Sequence, residues 1–317
     1  MKPLRILLPL LLLLTALTAV AETRTETYKT IGDVKLEMTI QLPDGWKPED
    51  QRPAIVFFFG GGWTNGTPTQ FENQAKYLAS RGMVAMAADY RVKSRQGVQA
   101  ASCVADAKSA IRWVRVNAAK LGIDPHRIAA AGGSAGGHLA AAVALLPALD
   151  DPADDKTVSC VPDAVVLFNP ALVLAPMEGA DLKGFLEKVT ADRFGCEPRE
   201  ISPAHHVKAG APPTIIFHGK ADTTVPYSTT ELFRDLMVKA DNRCELHGAE
   251  GQAHGFFNFG RNDNKFALET LQATDQFLAS LGWLQGEPAV EAYFKEHPPT
   301  ARTPRPSANN NPPKSPQ

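Results

Sequence analysis

The sequence predicts an α/β fold, a mostly parallel central sheet flanked by helices, and three observations carry that expectation. Continuous apolar runs at 54–59, 83–88, 127–131, 164–168 and 214–217 suit strands buried on both faces, as in parallel sheets. Helix-patterned segments lie between them at 70–81, 103–121, 135–146, 228–239 and 265–281, the alternation of a doubly wound sheet. The third observation is Ser134, set among glycines where one of these strands turns into a helix.

At the N-terminus, Lys2 and Arg5 precede a leucine-rich stretch and Ala19-Val20-Ala21 follows it, the pattern of a secretory signal peptide cleaved after Ala21. An uncleaved anchor is the competing reading, although the apolar run at 6–20 is shorter than the roughly 20 residues that span a bilayer. Cleavage would leave a secreted or periplasmic protein with no stable membrane association. Residues 34–42 alternate apolar and polar, which marks a half-exposed strand, and Pro43-Asp44-Gly45 turns it, so the sheet is expected to begin antiparallel. Residues 172–200 break the rhythm with Pro176, Gly179 and a short amphipathic piece near Phe185, and form an expected small cap. From 298 onward prolines, Ser, Asn and Lys dominate, too polar to bury surface and therefore expected to be disordered. The domain plan is a signal peptide at 1–21, a catalytic domain at 22–297 and a proline-rich tail at 298–317.

With 317 residues, 44% of them hydrophobic, and a net charge of −1, the chain can build one large α/β domain or two small ones. No basic stretch interleaved with aromatics appears, which sets nucleic-acid binding aside. Cys103, Cys160, Cys196 and Cys244 form an even set that allows three full pairings in an oxidising compartment, or four buried thiols. They contain no CxxC unit, and His205-His206 has no third ligand at regular spacing, so no metal and no cofactor are expected.

The chemistry centres on Gly132-Gly133-Ser134-Ala135-Gly136. A serine at a sharp strand-to-helix bend sits in a strained conformation, with small neighbours that let other segments approach. The same bend aims the Ala135 N–H and a helix N-terminus at the point where a substrate carbonyl would develop negative charge. Gly60-Gly61-Gly62, after the first buried strand, offers further backbone donors at Gly61 and Gly62. A hydroxyl is a weak nucleophile and needs a base, itself oriented by a carboxylate. Asp222 follows the run at 214–217 and His254 follows a short strand around 244–247, between glycines that let it project. His218 is the competing base, but a histidine at a strand end before glycine better supports a loop. Asp106 on a helix and Asp263 beyond His254 are poorly placed as the acid. Arg91 is expected to be a structural ion-pair partner, His138 to face the core or cap a helix, and Asn169-Pro170 to be scaffold.

With the order Ser134, Asp222, His254 the chain resembles the α/β-hydrolase superfamily over roughly residues 25–283, and within it the carboxylesterases that include acetyl-xylan and feruloyl esterases. The resemblance implies a serine esterase working through an acyl-enzyme intermediate on a small-molecule or polysaccharide ester, with Trp63, Phe256 and Phe257 as a candidate aromatic wall. Two positions depart from related groups. Phe59 stands where the lipase-like oxyanion motif has histidine, and Gly133 where hormone-sensitive-lipase-like proteins often carry an acid. A peptidase of the prolyl-oligopeptidase type shares this triad, but residues 25–45 leave no room for its propeller. A non-catalytic binding protein on the same fold would typically lack a triad member, and here all three are present.

Overall fold

The computed structural model describes residues 22–178, 182–187 and 190–300. The expected signal peptide and all but the first three residues of the tail lie outside them. Those three run back onto the first helix, where Thr300 bonds Asn73 through both its N–H (3.1 Å) and its hydroxyl (2.9 Å).

Eight strands form one sheet in the order β1-β2-β4-β3-β5-β6-β7-β8. β1 (Thr23–Ile31) and β2 (Val34–Gln41) make an antiparallel hairpin, and β2 runs antiparallel to β4 (Val84–Ala88) as well. From there β3 (Arg52–Phe58), β5 (Ile123–Gly133), β6 (Ala164–Phe168), β7 (Thr214–Gly219) and β8 (Cys244–Ala249) pair in parallel. β1 was not anticipated: of its nine residues only Tyr28 is buried, so the segment carries no apolar alternation. Its Thr-rich, solvated sequence suits the edge of a sheet.

The apolar runs are continuous because the sheet is covered on both faces. Val56 and Phe58 of β3 pack toward α3 (Ala100–Val116) and α4 (Ala135–Leu145), while Ile55 and Phe57 join a second core with α1 (Glu72–Ser80) and α8 (Lys265–Ser280). Short α2 (Lys93–Gln96) precedes α3, and α7 (Ser228–Lys239) joins β7 to β8. A last helix, α9 (Val290–Glu296), not anticipated, packs Phe294 near Tyr77 and Phe259. The inserted cap carries α5 (Lys183–Leu186) and α6 (Ala191–Phe194). Every residue of α4 is buried, which explains a helix apolar on all sides.

Register brings the strand ends together. Phe58 of β3 lies opposite Gly132 of β5, Gly133 opposite Phe168 of β6, and Phe168 opposite Phe217 of β7. The loops leaving these carboxyl ends therefore open on one edge, where ligands bind in parallel α/β sheets. All four cysteines are free thiols. Arg91 grips Asp106 with two bonds, at 2.8 and 2.9 Å, and Lys29 joins them at 3.1 Å. Among the described residues no helix is long and apolar enough to cross a membrane.

Candidate active site

Ser134 is the single residue between β5 and α4, and it bends the chain with φ 54° and ψ −117°. Such a conformation costs a non-glycine residue about 1–3 kcal/mol and persists only when its surroundings impose it. Here its N–H donates to the Phe168 carbonyl (2.8 Å) and its own carbonyl accepts the His138 N–H (2.9 Å). The bend brings the α4 N-terminus against β3: a Cβ on Gly136 would lie 2.0 Å from the Phe58 carbonyl oxygen, so no other residue fits.

The structure draws Asp222 and His254 to Ser134 across 88 and 120 residues respectively. His254 Nε2 lies 2.9 Å from Ser134 Oγ, and His254 Nδ1 lies 2.7 Å from Asp222 Oδ2. A carboxylate only accepts, so Nδ1 carries the proton and Nε2 is left to accept from the serine hydroxyl. The buried carboxylate is otherwise fully engaged. Its Oδ1 accepts the N–H groups of Thr224 (2.8 Å) and Val225 (3.0 Å), and its Oδ2 accepts Asn169 Nδ2 (2.8 Å). Burial alone would raise this carboxyl's pKa; the bonds from His218 and His254, the charge at His254 and the Val225 N–H outweigh it and hold the group far below the usual carboxylate range.

His218 takes the supporting place, with Nε2 2.9 Å from the Val225 carbonyl and 3.2 Å from Asp222 Oδ2. Asp106 is committed to Arg91, and Asp263 is exposed. Asn169 is more than scaffold: it stands at φ 44°, buried, with its side chain on the acid. Sequence offered only the Asn-Pro pair after a strand as its signal.

Gly60, Gly61, Gly62 and Ala135 line a cavity of about 560 Å³ together with Ser134 and His254. Gly61 has φ 134°, and a Cβ there would lie 1.9 Å from the Asn65 carbonyl oxygen, so the loop demands glycine. Among the described residues, no acceptor takes the N–H of Gly61, Gly62 or Ala135. Donors left open beside a hydroxyl are what an oxyanion requires. Trp63 and Phe257 line the cavity, but Phe256 does not: it is buried edge-on against Phe257 and Phe266. Phe185 and Arg193 reach the cavity from the cap, and Gln70, Asn258 and Arg261 add polar groups.

Trp63, at φ 58°, is held on three sides. Its Nε1–H donates to His138 Nδ1 (3.2 Å), Phe194 packs edge-on against it, and the Arg193 guanidinium lies 5.2 Å from its ring centre. His138, which is fully buried, donates from Nε2 to the Ile201 carbonyl (2.7 Å). Among the described residues, no three His, Cys, Asp or Glu side chains are placed to hold a metal ion.

Residues 38–237 match the BD-FAE family. Among curated proteins the chain is similar to esterase LipC of Mycobacterium tuberculosis, 32% identical over 68% of this chain and 57% of that protein. Carboxylesterase NlhH of the same organism is 27% identical over 75% of this chain and 76% of its own length. The chain spans little more than half the length of LipC and of the probable carboxylic ester hydrolase LipM. Among solved structures, apo Thermogutta terrifontis esterase 2 superposes with a TM-score of 0.79 at 54% identity, covering 84% of this chain and 97% of that one. Its propionate-bound form gives 0.78 at 55% identity, covering 84% and 96%.

Proposed function

Since this chain belongs to the BD-FAE family and has the α/β-hydrolase fold of its serine-esterase relatives, we propose that it hydrolyses short-acyl carboxylic esters through an acyl-enzyme on Ser134. The observation that carries this reading is the pair of contacts at His254, 2.9 Å to the serine hydroxyl and 2.7 Å to the buried carboxylate. His254 Nε2 takes the hydroxyl proton as Oγ attacks the ester carbonyl. The tetrahedral oxyanion is met by the open N–H groups of Gly61, Gly62 and Ala135. His254⁺ is stabilised by Asp222 and then passes the proton to the departing alkoxide. Water, activated by the same imidazole, releases the acid and restores Ser134.

Short acyl groups are favoured because the cavity is modest and partly polar, walled by Gln70, Asn258 and two arginines. The similar esterase 2 of Thermogutta terrifontis has been captured with propionate, with butyrate, and phosphorylated by paraoxon. The pattern at residues 1–21 supports export, and acetyl esters of extracellular polysaccharide suit an exported enzyme of this kind. Trp63 and Phe257 on the cavity wall extend the reading to feruloyl esters.

The test is hydrolysis of 4-nitrophenyl esters from acetate to decanoate, beside acetylated xylan and methyl ferulate. Turnover should be highest at two to four acyl carbons, and Ser134→Ala should lose about 10³-fold or more in kcat while remaining folded. Paraoxon should inactivate the wild type and leave Ser134→Ala unlabelled. Turnover that survives Ser134→Ala would remove the assignment, and a preference for acyl chains beyond about eight carbons would redirect it to lipids.

A further inference from the structure

Three carboxamide side chains from distant parts of the chain form one hydrogen-bonded file between the glycine loop and the triad acid. The Gly60 N–H donates to Gln70 Oε1 at 2.6 Å, and Gln70 Nε2 donates to Asn258 Oδ1 at 2.9 Å. Asn258 Nδ2 donates to the Gly255 carbonyl at 2.8 Å. On the other face of that residue, the Gly255 N–H donates to Asn169 Oδ1 at 3.4 Å, the longest link, and Asn169 Nδ2 donates to Asp222 Oδ2 at 2.8 Å. Behind the first link, the buried Tyr90 hydroxyl donates to the Phe59 carbonyl at 2.6 Å, the other end of the peptide that carries the Gly60 N–H.

Chemistry dictates the direction of the file. The Gly60 N–H can only donate, so Gln70 turns its oxygen toward it and keeps its NH2 for Asn258. The Gly255 carbonyl and the Asp222 carboxylate can only accept, so Asn258 and Asn169 turn their NH2 groups toward them. From Gly60 through Gln70 to Asn258, and again from the Gly255 N–H through Asn169, the amide dipoles point their positive ends along the file toward the carboxylate, so that within each run one bond polarises the next, and the Gly255 backbone joins the two runs. Gly60 immediately precedes the open donors Gly61 and Gly62, and Gly255 immediately follows His254. The file thus sets the oxyanion loop, the base and the acid against one another.

We propose that Gln70, Asn258 and Asn169 act as one set of positioning residues that locks the oxyanion loop to the acid–base pair, an assignment that rests on the esterase reading above. Breaking the file at either end releases the same constraint. Losses from its two ends therefore do not multiply, although Gln70 and Asn169 make no hydrogen bond to each other.

The experiment is steady-state hydrolysis of 4-nitrophenyl acetate by the full chain carrying Gln70→Met, Asn169→Gly or both, glycine being chosen because position 169 has φ 44°. Each single variant should lose about 10- to 100-fold in kcat with KM within about threefold, and the double variant should fall no more than about threefold below the worse single. Gln70→Glu supplies a second readout that does not depend on the Asn169 variant folding. Its carboxylate accepts from Gly60 but cannot donate to Asn258, whereas its protonated form does both. Its kcat relative to wild type at the same pH should therefore climb from pH 8 to pH 5, while the Gln70→Met ratio stays flat. Wild-type kcat in Gln70→Met, a loss confined to KM, a flat Gln70→Glu ratio, or singles that multiply in the double would each overturn the proposal. Those results leave Ser134-dependent turnover standing, whereas wild-type enzyme without that turnover takes down the esterase reading and this one with it.

Discussion

The Ser134 elbow and the cap face each other across one cavity and are held by opposite means. Around Ser134 the restraint is steric and made by backbone: Gly136 sits where a Cβ would strike the Phe58 carbonyl at 2.0 Å, and the serine N–H is tied to the neighbouring strand at Phe168. The cap is held to that centre by side chains, through Arg193 on the Gly62 carbonyl and Phe194 on Trp63, and just past its end by His138 on the Ile201 carbonyl. Backbone restraint tolerates almost no exchange of residues, while side-chain restraint can be retuned one contact at a time. On the proposed esterase reading, this division would keep the chemistry fixed at the elbow and leave substrate choice to the cap.

The harshest way to test the division is to add one methyl group at the elbow. Gly136→Ala has no flexible neighbour to displace, because its Cβ would meet backbone atoms of Phe58 and Phe59. The expected loss is about 3 kcal/mol or more in stability, seen in urea unfolding, with activity falling alongside. An alanine variant with an unchanged unfolding midpoint would show that the strand ends give way, and the contrast with the cap would collapse.

The same division explains what could be read from the sequence. Ser134, the glycines at 60–62, Asp222 and His254 could be singled out because the roles proposed for them admit few residue types, and the sheet supplies their order. β2 through β7 were legible from their apolar patterning, though β5 reaches back to Ile123, where it pairs with Arg52 before the apolar run begins, and β8, with no buried residue, showed only as a short strand around 244–247. β1 was not, since eight of its nine residues face solvent at least in part. Gln70, Asn169 and Asn258 carry no local signature, because an amide acquires its partner only when distant loops meet. Phe256 and Phe257 are adjacent in sequence and equally aromatic, yet only one turns to the cavity. The positions of the catalytic candidates were accessible, and the side chains that brace them were not.

A pH titration tests the seam between the two regions. Burial lowers the pKa of His138 from 6.5 to about 4, against a smaller opposing effect of its bond to Ile201. The folded protein therefore binds fewer protons at this site than the unfolded chain between those values, and stability rises with pH across the interval. His138 contributes fully above pH 6.5, and that contribution is lost as pH falls toward 4. At about 1.4 kcal/mol per pH unit the effect reaches roughly 3 kcal/mol. In urea unfolding at pH 7, 5.5 and 4.5 the wild type should lose stability more steeply than His138→Gln. Parallel slopes would mean that the imidazole is protonated without disturbing the seam.

The mildest perturbation belongs to the cap. Arg193 donates from Nη2 to the Gly62 carbonyl at 3.0 Å and spreads its guanidinium over Trp63, so it touches the glycine loop without belonging to it. A charged hydrogen bond and a cation–π contact on a buried indole together are worth about 2 kcal/mol, part of which Met restores by packing against the indole. For Arg193→Met this leaves an expected loss of about tenfold in kcat/KM. A cap that selects substrate would make the loss fall unequally on acetate, butyrate and ferulate esters. The elbow behind it is anchored independently, so the thermal midpoint should move by less than about 4 °C. An equal loss on all three esters would assign Arg193 to the glycine loop's own support and move the boundary between fixed and tunable parts outward into α6.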